Sequence, residues 1–428
     1  MASTQARERS GRLAALRNGP LTLLMLGHFT VDMYAGLLPV FYPLLTKRFD
    51  LDLKTVGFVA LAYTGLASIS QPFFGWIADR YGTRFTGLTL AWTAVSFATL
   101  GFAPSFPILV LLAAAAGLGS GAFHPLGALN ASALIPEGQR NTAMSVYVTG
   151  GTLGVAVGPL VGAVLFAVFG VRGTALMILP GLSIAIWLLL GMRTEAFRAA
   201  STRKTAAVRG PIPYAPLCVV VGLMMVRMWA IFGISAFIPI WYAELGYGPG
   251  FYGPLATTML LASAVGAVGT GSLADRYGRR SVILWTLTLS IPALILFTTL
   301  TGPIAFVTGA LVGLLAASTA PLLLVLAQQL MRGRAGMASG LILGLGFVTG
   351  AIGVPVIGAL ADAVGIATAL RAQVLVLVLA IGIAWLLPSE AKIRALSEPG
   401  DPSRAPAPFL AAKPSDVSVA GSEAPARR

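Results

Sequence analysis

Four ionisable side chains sit inside long apolar stretches of this sequence: His28, Asp32, His124 and Arg227. An ionisable group in lipid costs about 2.5–3.5 kcal/mol on insertion scales, so each is a functional site by default. Asp32 is the one carboxylate placed well inside a predicted span, and Arg227 is the one base so placed. His28 and His124 are the chain's 2 histidines. His28 and Asp32 are four residues apart and so share a helix face. Burial and a neighbouring cation pull the proton affinity of such a carboxylate in opposite directions, so it can take up a proton in one orientation and release it in another. An imidazole beside it, with an intrinsic pKa close to physiological pH, modulates that exchange. Asp32 and His28 are therefore the proton-coupling pair. Arg227 with His28 and His124 forms a cradle for an anionic cluster of oxygens, and Tyr147 joins it as a substrate-binding residue. The competing reading is that Asp32 and Arg227 neutralise each other and lock two helices, with each histidine serving as a helix–helix hydrogen bond.

Long apolar helices must position these groups. The chain is 57% hydrophobic and only 10% charged, with a mean hydropathy of +0.85. Soluble domains carry roughly 25% charge, so this is a membrane protein. A bilayer core about 30 Å thick needs roughly 20 helical residues. Apolar runs of that length fall at 21–45, 55–78, 85–104, 108–134, 142–169, 171–191, 215–242, 252–274, 281–300, 304–328, 337–361 and 368–388. Asp32 lies roughly 16 Å along the first at 1.5 Å per residue. His124, on a span running the other way, lies roughly 15 Å from the same surface. Arg227 is at the depth of Asp32 in the seventh run.

The charge of +14 is distributed as membrane topology requires. With both termini inside, the inner loops and termini carry 19 Lys and Arg, among them Arg7, Arg80, Arg140, Arg203, Arg276 and Lys392. The outer loops carry five: Lys47, Arg48, Lys54, Arg172 and Arg371. This positive-inside bias places both termini in the cytoplasm and removes nucleic acid as the explanation for the charge. The single cysteine, Cys218, excludes an internal disulfide, and no cleavable leader pattern is present. The sequence divides into a cytoplasmic segment 1–19, a six-span half 20–191, a basic central loop 192–213, a second six-span half 214–388 and a disordered cytoplasmic tail 389–428. No metal-ligand cluster or nucleophile–base pairing at enzymatic spacing is evident, so neither an enzyme nor a cofactor is expected.

The chain is duplicated. Gly75–Arg84, GWIADRYGTR, recurs as Gly271–Arg280, GSLADRYGRR, at an offset of 196 residues. The same offset relates Pro43 to Pro239, Gly117 to Gly313, Pro125 to Pro321, and Pro159/Gly162 to Pro355/Gly358. Twelve spans in two halves, with GxxxDRxGxR after spans 2 and 8, resemble the major facilitator superfamily. Within it, GHFTVDM at 27–33, QPFFG at 71–75 and FHP at 123–125 are similar to fosmidomycin-resistance-type transporters. Thr83 stands where the loop motif commonly has a base. Leu126 stands where relatives have a carboxylate, and Ala113 where drug–proton antiporters have an arginine.

The resemblance implies an all-α fold of twelve transmembrane helices whose spans 1, 4, 7 and 10 line a central cavity. It also implies gating by the loops: Gly75, Asp79, Arg80, Gly82 and Arg84, and Gly271, Asp275, Arg276, Gly278, Arg279 and Arg280. In the family fold each aspartate lies opposite the N-terminus of a helix in the other half, spans 11 and 5, with the arginines holding it. The helix dipole favours such a carboxylate by about 0.3–1 kcal/mol, up to about 2 when partly buried. The alternative is that these loops only signal topology. Gly150, Gly154, Gly158 and Gly162, with Pro159, form a ridge at four-residue steps, echoed in span 11 by Pro355 and Gly358. It is similar to the superfamily's antiporter motif and equally suits plain helix packing.

The implied function is a monomeric, proton-coupled exporter of a small anionic or amphipathic solute in the inner membrane. The bases on spans 1, 4 and 7 are similar to those of organophosphate exchangers, and a phosphonate would fit them. An anion importer or exchanger and a non-transporting membrane sensor or assembly partner on the same fold are the alternatives.

Overall fold

A computed structural model describes residues 19–134, 140–192, 211–332 and 334–397. The basic N-terminal segment, nearly all of the central loop and the tail beyond residue 397 lie outside the described residues. The described chain is helical throughout: α1 (Gly19–Phe49), α2 (Leu53–Ala60 and Leu66–Tyr81, joined by a π-turn at Leu61–Gly65), α3 (Thr86–Thr99), α4 (Phe106–Ala133), α5 (Arg140–Phe169) and α6 (Ile178–Gly191). Then come α7 (Tyr214–Glu244), α8 (Pro249–Tyr277), α9 (Arg279–Thr299), α10 (Ala305–Val312 and Ala320–Leu330, around a π-turn at Gly313–Ala317), α11 (Ala335–Val364), α12 (Ile366–Trp385) and the short α13 (Glu390–Ser397).

Among the described residues, 10 segments are long and apolar enough to cross a membrane. One of them, Val146–Gly191, is broken at Gly170, whose φ of 55° starts a 3-10 turn between α5 and α6. Thr86–Phe102 is apolar but shorter. Leu375 and Val268 are 73% and 75% exposed on the outer surface, a position that is favourable for such side chains only against lipid. Prolines inside α1, α5, α7 and α11 are tolerated because neighbouring helices take up the freed backbone groups.

The glycine ridge of α5 lies on the backbone of α1. A Cβ on Gly150, Gly154 or Gly158 would stand 2.4, 2.1 or 2.6 Å from the carbonyl oxygens of Met25, Phe29 and Met33, and one on Gly162 would stand 2.9 Å from Leu37. Both sets of residues advance by four, so two parallel helices touch along four successive turns. Without a hydrophobic force between helices in lipid, such backbone approach is what holds them.

The repeat also persists in space. Gly117 of α4 meets the Tyr63 carbonyl of α2, and Gly313 of α10 meets the Met259 carbonyl of α8. Both members of each contact obey the offset of 196. Residues 390–397, read from sequence as the start of a disordered tail, instead form α13. Ile393 is 3% exposed, and the Glu390 carboxylate accepts the backbone N–H of Arg279 at 3.1 Å, so this segment is docked.

Gly154→Ala is expected to lower the thermal unfolding temperature of the purified protein, by the about 1–3 kcal/mol typical of overpacking. Gly340→Ala in α11, where a Cβ meets nothing within 4 Å, is expected to leave it unchanged or slightly raised. Equal unfolding temperatures for the two variants would show that the ridge is not a close contact.

Candidate functional site

Asp32 lies near the middle of α1, and its carboxylate is held between two imidazoles. Oδ2 is 3.2 Å from His28 Nε2, one turn earlier, and Oδ1 is 3.4 Å from His124 Nε2 on α4. His28 Nδ1 is 2.9 Å from the carbonyl oxygen of Tyr147 on α5. A carbonyl only accepts, so Nδ1 carries a proton. The His28 Nε2–Asp32 Oδ2 contact then requires a second proton, on the imidazole or on the carboxyl, because otherwise two lone pairs would face each other. The geometry of the pair thus suits one proton held between the imidazole and the carboxylate. His124 completes the cage, with Ser120 Oγ at 3.5 Å from its Nε2.

Packing fixes this geometry from three sides. The Tyr147 ring stacks on His28 at 4.3 Å with an interplanar angle of 21°, and the His124 ring meets His28 edge-on at 5.2 Å. Gly151, one turn after Tyr147, covers the pair: a Cβ there would stand 2.4 Å from Asp32 Oδ2 and 2.5 Å from His28 Nε2. The cluster is nevertheless reachable, since the side chains of Asp32 and His124 are 17% and 24% exposed in the interior of the bundle. The nitrogen and oxygen atoms of His28, Asp32 and His124 all lie within 4.8 Å of one another, a spacing that a metal ion could bridge. The sequence reading expected no such cluster, because Asp32 and His124 are far apart in the chain and only the fold brings them together.

Arg227 lies elsewhere. Its guanidinium is 1% exposed and donates to the carbonyl of Ala316 at 2.7 Å, within the π-turn of α10, and its Nη1 is 3.8 Å from Met224 Sδ. No described carboxylate pairs with it, and its Nε has no partner. The sequence offered Arg227 as a partner of Asp32 or as part of a cradle with the histidines, and neither contact is present. Two imidazoles already surround Asp32, while the π-turn of α10 offers the guanidinium a carbonyl inside its own half.

The match to known proteins agrees with this architecture. The profile described as Major Facilitator Superfamily matches residues 24–254 and 220–419. The chain belongs to that superfamily. It is 32% identical over 389 residues to the uncharacterized MFS-type transporter YfnC of Bacillus subtilis, covering 87% of this chain and 94% of that one. It is 29% identical over 357 residues to the fosmidomycin resistance protein of Escherichia coli, covering 80% and 86%. A solved bacterial homolog of the human lysosomal transporter Spinster, in an inward-facing and occupied conformation, superposes with a TM-score of 0.73 at 15% identity, covering 88% and 98%. Members of the superfamily are transporters, not enzymes.

The superfamily loop motif sits at the ends of α2 and α8. Gly82 and Gly278 end these helices at φ 80° and 83°, each donating its N–H to the alanine four residues back, so a left-handed turn explains these glycines. A Cβ on Gly271 would meet nothing within 4 Å, and one on Gly75 would only graze Pro125 at 3.8 Å. Asp275 is exposed and makes no hydrogen bond to a described residue, and the side chain of Asp79 lies outside the described residues. Among the described residues Asp275 has no partner in the opposite half, and the N-terminal end of α5, where the family contact would fall, lies largely outside the described residues.

In the second loop the arginines meet other partners than Asp275, while the contacts of Asp79 in the first lie outside the described residues. Arg279 donates to Gln329 Oε1 at 2.6 Å and pairs with Glu390 at 3.8 Å. Arg280 donates to the Trp385 carbonyl at 2.6 Å. Arg276, Arg80 and Arg84 lie over neighbouring aromatic rings. Thr83, at the position where the motif commonly has a base, donates its hydroxyl to Asn130 Oδ1 at 2.5 Å and ties the first loop to α4.

Pro159 and Pro355, read as packing residues, lie at crossings between the two repeats: Gly253 of α8 approaches the Pro159 carbonyl, and Gly57 of α2 approaches the Pro355 backbone. Gly358 approaches the backbone of Leu53 and Lys54. The sequence reading missed Gly151 and Ser120. Gly151 adjoins the ridge glycine Gly150 but points along a different face, and Ser120 precedes His124 by one turn, so its spacing was available.

The close cover by Gly151 gives a test. Gly151→Ala is expected to destabilise the protein, and Asp32→Ala in the same chain is expected to relieve part of that loss. A double-mutant cycle on thermal unfolding should give a coupling of about 0.5–3 kcal/mol. Additive losses would mean that Gly151 does not press on Asp32.

Proposed function

We propose that the chain is a proton-coupled exporter of a small anionic or amphipathic organic solute, working by alternating access. On this reading it has twelve crossings: the 10 apolar segments, with Val146–Gly191 counted as two, plus Thr86–Phe102. They form two six-helix halves that rock about a midplane site. The Lys and Arg bias supports an inner-membrane location with both termini cytoplasmic. The chain acts as a monomer, its partners being the solute, protons and the bilayer.

The observation that carries the reading is the direct contact of the Asp32 carboxylate with His28 at 3.2 Å, with His124 at 3.4 Å on the far oxygen. A carboxylate that must keep a proton or a cationic neighbour in mid-membrane is suited to exchanging one for solute when the opening changes sides. His28 belongs to the switch because the Tyr147 carbonyl on α5 fixes its Nδ1 proton. Export is supported by the likeness to the fosmidomycin resistance protein of Escherichia coli.

A second reading, exchange of an anionic metabolite, draws on Arg227, whose Nε is an unused donor on a buried cation. In it Arg227 swings from the Ala316 carbonyl to a solute anion in another conformation, and Asp32 contributes little to coupling.

In inverted vesicles with an imposed pH gradient, the wild-type chain is expected to accumulate fosmidomycin. Asp32→Asn is expected to abolish gradient-driven accumulation while leaving binding measurable by thermal shift. Undiminished accumulation in that variant would remove Asp32 from the mechanism. Arg227→Ala is expected to weaken thermal-shift responses to phosphonates and metabolite anions more than those to neutral amphipathic compounds. Equal losses for both classes would exclude Arg227 from anion recognition.

A further inference from the structure

The two repeats meet at one end of the bundle, the end away from the DRYG loops. Gly57 of α2 lies against Pro355 of α11, where a Cβ would come within 2.7 Å of the proline Cα. Gly253 of α8 lies against Pro159 and Ala163 of α5, where a Cβ would come within 2.3 Å of the alanine Cβ. Gly57 and Gly253, and Pro159 and Pro355, are each 196 residues apart, so these crossings are repeat-related. At the DRYG end, Gly271 is open and Asp275 is exposed. The α2–α11 and α8–α5 crossings are therefore tight at one face, while at the other the loop of α8 makes no such contact with a described residue.

Only one crossing carries a charge. Asp362, near the end of α11, accepts the backbone N–H of Leu53 through Oδ1 at 2.8 Å and that of Lys54 through Oδ2 at 2.9 Å. These are first-turn N–H groups of α2, which have no partner within their own helix. Thr55 N–H, the third open donor, is satisfied locally by the Asp52 carboxylate at 2.7 Å, and Val56 N–H makes the first regular helical bond, to the Asp52 carbonyl at 3.1 Å. The hydrogen bond from Thr55 holds the Asp52 carboxyl below the usual range. Of the first-turn donors of α2, two are thus capped from the other repeat and one from its own.

The repeat counterpart of Leu53 is Pro249, which opens α8 and has no N–H to cap. The counterpart of Asp362 is Phe166. The polar contact is confined to one side of the pseudo-symmetric pair.

We propose that Asp362 is the gate residue of the face opposite the DRYG loops. Its carboxylate keeps that face shut by capping α2 from the other half, and opening requires both hydrogen bonds to break. Separation leaves two N–H groups and a carboxylate to be taken up by water, so the closed state has a directional lock that apolar contact alone lacks. The proposal rests on the alternating-access part of the reading above but not on proton coupling. A distance measurement tests it separately from the transport assay on Asp32→Asn.

The experiment uses the full chain in proteoliposomes, with Cys218→Ser as background and spin labels at exposed positions. One pair, Lys47 and Thr301, spans the Asp362 face, and another, Phe85 and Met337, spans the DRYG face. Double electron–electron resonance on Asp362→Ala is expected to lose the short-distance population of the first pair and to gain shorter distances in the second. Asp362→Asn, which keeps one acceptor, is expected to fall between that variant and wild type.

Leu53→Pro attacks the same contact from the donor side. Asp52 already has φ −71° and ψ 166°, the extended conformation favoured before proline, so the helix start is preserved. It is expected to shift both pairs in the same sense. Asp52→Asn, which alters the cap from within the same repeat, is expected to shift neither. Unchanged distributions in Asp362→Ala and Leu53→Pro would overturn the proposal, as would an equal shift in Asp52→Asn.

Discussion

A carboxylate in the middle of a membrane must keep a proton or a positive neighbour, and the structure around Asp32 follows from that requirement. Even partly exposed to the bundle interior, an unpaired charge here would be costly. Two imidazoles from α1 and α4 meet the carboxylate directly, and α5 holds one of them through the Tyr147 carbonyl. Three helices thereby meet at one carboxylate. Arg227 is a buried cation solved by a different means, with a carbonyl freed in the π-turn of α10 in place of a counter-charge. π-turns often mark functional positions because they release a backbone acceptor from the helical ladder.

Close backbone approach is what allows three helices to reach one carboxylate. The steps of Gly150, Gly154 and Gly158 on Met25, Phe29 and Met33 bring α5 onto α1, and Gly151 then lies directly over the His28–Asp32 contact. A side chain at any of these glycines would push the helices apart and open the cage. Packing and chemistry here are one constraint: the small residues that hold the helix pair also set the distance between imidazole and carboxylate.

The duplication supplies symmetric contacts, and the chemistry breaks the symmetry. Both repeats bring a glycine of their second helix onto a proline of the other repeat. The titratable cage lies wholly in the first repeat, the guanidinium without a described counter-charge lies in the second, and among the described residues a carboxylate reaches between the repeats at Asp362. Once the scaffold was duplicated, each half was free to carry a different part of the work, because the close contacts depend on backbone and small residues that both copies retain.

Much of the fold was legible in the chain: the all-helical class, the helix positions to within a few residues and the repeat follow from hydropathy and a single offset. The candidate site was partly legible, since His28 and Asp32 at four-residue spacing must share a face and rare charges in lipid draw attention. The sequence could not say that His124 rather than Arg227 meets Asp32, because depth along a helix does not give its rotation. Nor could it show that Asp362, read as the first residue beyond a span, reaches 309 residues back in the chain to an open helix end. Periodicity and cost determine which residues occupy the membrane interior. Which of them touch depends on helix rotation and approach, set by side-chain and backbone sterics across residues far apart in the chain, and only the tertiary structure decided that.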